Sequence, residues 1–167
     1  AYKQLDDMKD KKPLGHDAPA PDLADVWDQD ILRKWLKTAK RLERDDVYKD
    51  AFRQLCSAEK RETDDPLELE FAGVICALEQ ALTEGLGKTK RLSPMRLKLG
   101  RSGVVKTMSD LVSKPTATDG FAELQAVGMG EFSAENLVLK HEGRFEPGVI
   151  AAAKARLAEQ DTAPADA

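Results

Sequence analysis

The residues best equipped for chemistry in this 167-residue chain are seven bases with no acid among them. Lys88, Lys90, Arg91, Arg96, Lys98, Arg101 and Lys106 all fall within Gly85–Ser109. Residues 1–84 hold 14 bases and 20 acids and residues 110–167 hold 5 and 10, so a +7 run sits inside a chain of net charge −4. A single-signed run attracts phosphate, carboxylate or an acidic face of the same protein. Each lysine or arginine that neutralises a phosphate releases counterions and adds salt-sensitive affinity. The expected partner is duplex DNA, bound without sequence preference. Phe121 and Phe132 lie outside the run, so it has no stacking platform for single strands or RNA.

Other chemistries find little support. His16, between Gly15 and Asp17, reads as a solvated loop histidine. His141 stands between Lys140 and Glu142 at a helix end, where its charged form suits the dipole. No serine or cysteine has a nearby base, and no carboxylate pair has a recognisable partner set. Cys56 and Cys76 fall within helical patterns, without metal-ligand spacing, and read as small reduced core residues. Gly85-Leu86-Gly87-Lys88-Thr89 resembles a nucleotide-binding phosphate loop, but that motif needs its first glycine where Leu82 stands, with a strand before it. No cofactor or metal is expected, and the chain reads as a binding protein rather than an enzyme.

A second candidate is Leu124–Val138, LQAVGMGEFSAENLV. It resembles the helix-hairpin-helix motif of non-sequence-specific DNA-binding proteins: glycine, aliphatic, glycine, three variable residues, then a small residue opening the second helix. Gly128, Met129, Gly130 and Ala134 stand in those places, with Leu124 and Leu137 placed to pack the two helices. The resemblance implies that amides at Gly128 and Gly130 bind phosphate, since glycine lets backbone approach backbone. It covers 15 residues and departs at Ala126, smaller than the usual anchor, and at Glu131-Phe132, where a basic or small residue is usual. The same residues also read as a helix C-cap at Gly128 followed by a Ser133-capped helix.

The elements that must position these groups are helical. Over Asp22–Arg44, Trp27, Ile31, Leu32, Trp35, Leu36, Ala39 and Leu42 share one arc at helical spacing, with Arg33, Lys34, Lys37, Lys40, Arg41 and Arg44 opposite. Asp45–Glu59 repeats the signal, with Asp45 or Asp46 as its cap. Pro66 opens the next helix after an aspartate cap, and Leu67–Glu84 forms the central core helix. Ser93 caps a restart at Pro94; Gly100 and Gly103 then break the chain, with Ser102 capping the second piece. Short helices follow over Gly120–Val127, after an Asp119 cap, and over Ser133–His141, and Pro147 opens the last.

The fold expected is all-α, a single-domain bundle of six to eight helices over residues 22–160. Residues 1–21 read as a flexible N-terminal arm and residues 161–167 as a disordered tail. The chain opens on Ala1 rather than Met, as a trimmed or a processed start would. No run approaches bilayer length and nothing resembles a signal peptide, so a cytoplasmic protein with no membrane partner is expected. The alternative function is an adaptor or assembly subunit whose basic run docks on an acidic protein surface, its own homodimer included.

Overall fold

The computed structural model describes residues 14–59, 61–115 and 119–162. Among these it is all-α: eight α-helices, two short 3-10 turns and no strand. Residues 1–13 of the arm, 116–118 of the loop before Asp119, and 163–167 of the tail lie outside the described residues. The chain gathers into two compact units, Ala1–Lys60 and Arg61–Ala167.

The first unit is a helix pair. α1 (Gln29–Arg41) packs Ile31, Leu32, Leu36 and Ala39 against α2 (Asp45–Ser57), which buries Val47, Tyr48, Ala51, Phe52, Leu55 and Cys56. α1 starts seven residues later than the apolar arc predicts. Asp28 is the reason: its Oδ1 accepts the Asp30 and Ile31 amides at 2.9 and 3.3 Å, which fixes the helix start. Trp27 therefore precedes the helix and is half exposed. The backbone before it is held from α2, where the Gln54 amide donates to the Ala24 and Val26 carbonyls.

Neither Asp45 nor Asp46 caps α2. Arg44 occupies the cap, and Asp46 instead takes its guanidinium at 3.0 and 2.9 Å. Both aspartates remain in the first turn, where the dipole favours them. The same guanidinium donates to the carbonyls of Gly15, His16 and Ala18, so the described end of the arm is tied to the helix pair.

In the second unit α3 (Pro66–Leu86) is the central helix. Asp65 caps it through the Leu67 amide at 3.0 Å, and Leu67, Phe71, Val74, Ile75, Leu78 and Leu82 are all buried. Gly87, at φ 69°, ends it. α4 (Ser93–Ser102) and α5 (Val104–Val112) follow. The break falls at Gly103 alone, at φ 83°, with Gly100 inside α4. Ser102 does not cap α5; Gly103 stands there, and its carbonyl accepts both the amide and the hydroxyl of Thr107.

α6 (Asp119–Ala126) packs along α3, and α7 (Ala134–Lys140) packs against α8 (Pro147–Thr162) and α3. α8 includes residues 161 and 162 of the expected tail. Ion pairs lace these elements together. The α3 cap Asp65 and Glu70 of α3 take Arg144 at 3.0 Å and Lys140 at 2.7 Å, with His141 Nε2 at 3.1 Å from Glu70. The buried Glu135 of α7 pairs with the buried Arg156 of α8 at 3.1 Å, and Arg156 also donates to the Lys114 carbonyl.

Candidate functional site

The basic run occupies the end of α3, the loop after it, α4 and the first turn of α5. The loop folds back along α3. The Lys90 amide donates to Thr83 Oγ1 at 2.9 Å and the Leu92 amide to Glu79 Oε2 at 2.7 Å. Glu79 lies mid-helix among apolar residues, and its carboxylate also accepts from Arg96 Nε at 3.1 Å, with Arg91 Nε at 3.8 Å. Burial pushes the Glu79 carboxyl up, but Arg96, the Leu92 amide and Arg91 outweigh it and hold the group below its ordinary value. This carboxylate also explains why Ser93 does not cap α4. Leu92 takes the cap position with no side-chain bond of its own, and Glu79 brings negative charge to the helix N-terminus from α3.

Asp110 of α5 does a similar job on the other side of α4. It accepts from Lys98 and, at 3.0 Å, from Lys106 one turn earlier on its own helix. Hydrogen bonds from Lys98 and then Lys106 hold its carboxyl below the ordinary value. Four of the seven bases thus meet acids of the same chain. The remaining three, Lys88, Lys90 and Arg101, are exposed and have no acidic partner among the described residues.

The pairing leaves the sign of the outer surface intact. Glu79 and Asp110 between them meet four bases, so the cations outnumber the acids paired with them. The carboxylates also lie deeper than their partners: Glu79 is 8% exposed against 60% for Arg91, and Asp110 is 34% exposed against 65% for Lys106. Solvent therefore meets the cations first. Leu86 and Leu97 lie in the same segment and are 53% and 59% exposed. Leu97 and Arg101, four residues apart on α4, share its outward face.

The two glycines of the hairpin candidate stand between α6 and α7. Gly128 has φ 74°, a left-handed conformation, and ends α6 with two reversed bonds. Its amide donates to the Gln125 carbonyl at 3.0 Å, and the Met129 amide donates to the Leu124 carbonyl at 2.9 Å. Met129 and Leu124 are fully buried, as that cap's apolar contact requires. A 3-10 turn, Gly130–Phe132, then leads to Ser133, whose Oγ accepts the Asn136 amide and caps α7. The Asn136 side chain ties the turn by donating to the Gly130 carbonyl at 3.0 Å.

α6 passes α3 so closely at Gly85 that an added Cβ would collide with the Glu123 carboxylate. The hairpin's first helix therefore runs beside the point where the basic loop departs.

Glu79 and Asp110 are the site residues that the sequence reading missed. A lone carboxylate in the apolar run of α3 is the signal for the first, because a buried glutamate needs a partner. The four-residue step from Lys106 is the signal for the second. Comparison with protein-family models, curated proteins and solved structures returns no match.

Proposed function

We propose that the protein is a non-enzymatic binding protein that contacts nucleic-acid phosphate through the basic segment, with little sequence preference. The observation that carries the reading is the uncancelled charge: Lys88, Lys90 and Arg101 stand exposed without acidic partners among the described residues, while Glu79 is buried and Asp110 half-buried. Phosphate contact needs only such cations at a surface. The Gly128–Gly130 turn joins the proposal through one donor. Among the described residues the Gly130 amide has no hydrogen-bond acceptor, whereas the Gly128 and Met129 amides are used inside the turn.

A second reading is favoured by Leu86 and Leu97. Exposed leucines amid cations fit an acidic amphipathic segment of a protein partner, with the leucines as anchors and the bases as rim. Duplex phosphate makes no use of them.

A low-salt gel shift with random-sequence duplex, run beside size-exclusion chromatography, separates the two. The phosphate reading expects a shift at tens of micromolar protein, around the strength of non-specific binding. It also expects that Lys88→Ala, Lys90→Ala and Arg101→Ala together weaken binding to all sequences alike. No shift at that concentration refutes it, and self-association abolished by Leu97→Asp would favour the protein-docking reading.

A further inference from the structure

We infer that the outward face of α1 is a second phosphate-contacting surface, carried by Lys34, Lys37 and Arg41. The identity of its occupant rests on the phosphate-binding reading, but its side chains belong to the other unit of the chain. At 100° per residue these three side chains fall within an arc of about 60°, and the rise of α1 spreads them over about 10 Å. All three are exposed, and none has an acidic partner among the described residues.

Four neighbouring acids are engaged elsewhere: Asp30 with Arg33, Asp45 with Lys49, Asp46 with Arg44 and Asp50 with Arg53; Glu43, two residues after Arg41, is exposed. An axial run of about 10 Å spans about three phosphate steps of one strand at 3.4 Å each.

The face itself argues for a nucleic acid over other polyanions. Three bases alone hold a helix to an anionic membrane only weakly, and stable seating there sinks an apolar face into the acyl boundary. The apolar residues of α1 are already committed: Ile31, Leu32, Leu36 and Ala39 are buried, and Trp35 is partly so. A protein partner would look for an apolar anchor among the cations, and α1 exposes none. A phosphate backbone asks for charge alone.

The test is fluorescence anisotropy of the full chain with a labelled random-sequence duplex across a salt series, with phosphatidylserine vesicles as a parallel probe. Lys34→Ala, Lys37→Ala and Arg41→Ala together should flatten the slope of log K against log salt by about 2.7, at about 0.9 per lost contact. The charge-conserving set Lys34→Arg, Lys37→Arg and Arg41→Lys should keep the parent slope, which separates lost charge from damage to α1.

A parent slope and affinity in the alanine set overturns the inference, as does parent binding to the vesicles but not to duplex. If the alanine set at Lys88, Lys90 and Arg101 binds like the parent while the α1 set does not, the α1 surface stands and the loop reading falls. The opposite result removes the α1 surface and leaves the loop.

Discussion

Replacing Glu79 by alanine should unfasten the basic loop from α3 and destabilise the second unit. In the parent, one nearly buried carboxylate accepts the Leu92 amide at 2.7 Å and the Arg96 guanidinium, with Arg91 nearby. Hydrogen bonds to charged groups contribute about 1.5–3 kcal/mol each, less than additively when they share an acceptor. Removing one partner of a buried ion pair costs about 3–5 kcal/mol, because the other charge is left without compensation. Arg96 is 28% exposed and can turn toward water, which places the expected loss near the lower end, about 3 kcal/mol. That is roughly a hundredfold change in the folded-to-unfolded ratio.

Urea denaturation followed by far-ultraviolet circular dichroism reads the loss. Hydrogen exchange at the Leu92 amide reads its local origin, since that proton loses its acceptor. Lys88→Ala, at an exposed and unpaired position, is the control and should stay within about 0.5 kcal/mol of the parent. If Glu79→Ala also stays within about 0.5 kcal/mol and the Leu92 amide remains protected, the account of Glu79 as the fastening point is wrong.

The remaining predictions concern acid, the glycine turn and the buried pair. Asp65, Glu70, Glu79 and Asp110 all sit below their ordinary values, and the Arg44 hydrogen bond holds Asp46 at about 2. Groups lowered by folding contribute stability above the ordinary values of 3.8 and 4.5 and lose it as pH falls through the folded ones. Stability should therefore drop steadily below about pH 4.5 in a circular-dichroism titration, and a flat profile down to pH 2 would contradict the pairing. Gly128→Ala should cost about 1–2 kcal/mol, because its left-handed conformation penalises a Cβ; a neutral thermal melt would mean the turn relaxes freely. Gly130 lacks a positive φ, and the nearest atoms a Cβ there would meet belong to the flexible Gln125 side chain. Gly130→Leu should thus keep the helical spectrum yet weaken duplex binding, and unchanged affinity would reduce the turn to a structural cap. Glu135→Ala should cost about 3–5 kcal/mol by leaving the buried Arg156 without its carboxylate; urea midpoints near the parent's would show that water reaches the site.

The apolar periodicity carried most of the fold. Leu67, Phe71, Val74, Ile75, Leu78 and Leu82 are buried as their spacing requires, because a stripe on a long helix leaves one way to hide it. Caps were less legible, since a cap is a competition among local groups. At α1 the winner was Asp28, the third of four aspartates between Asp22 and Asp30; at α4 it was a carboxylate from another helix, which no local spacing reveals. The candidate site shows the same limit. Seven bases without an intervening acid are visible in the chain, but their partners sit before and after the run, on α3 and α5. Reading charge along the sequence counts neighbours along the chain, whereas Coulomb attraction counts neighbours in space.

Cys56 and Cys76 both lie buried, one on α2 and one on α3. Each compact unit therefore carries its own built-in clock. A thiol in the core reacts with an alkylating reagent only when its surroundings open, at a rate set by the local opening equilibrium. Pulsed alkylation followed by peptide mass spectrometry would time the opening of the helix pair and of the larger unit separately, in one tube and without any engineered label. A basic ligand site on either unit would then declare itself by slowing one clock and leaving the other to run.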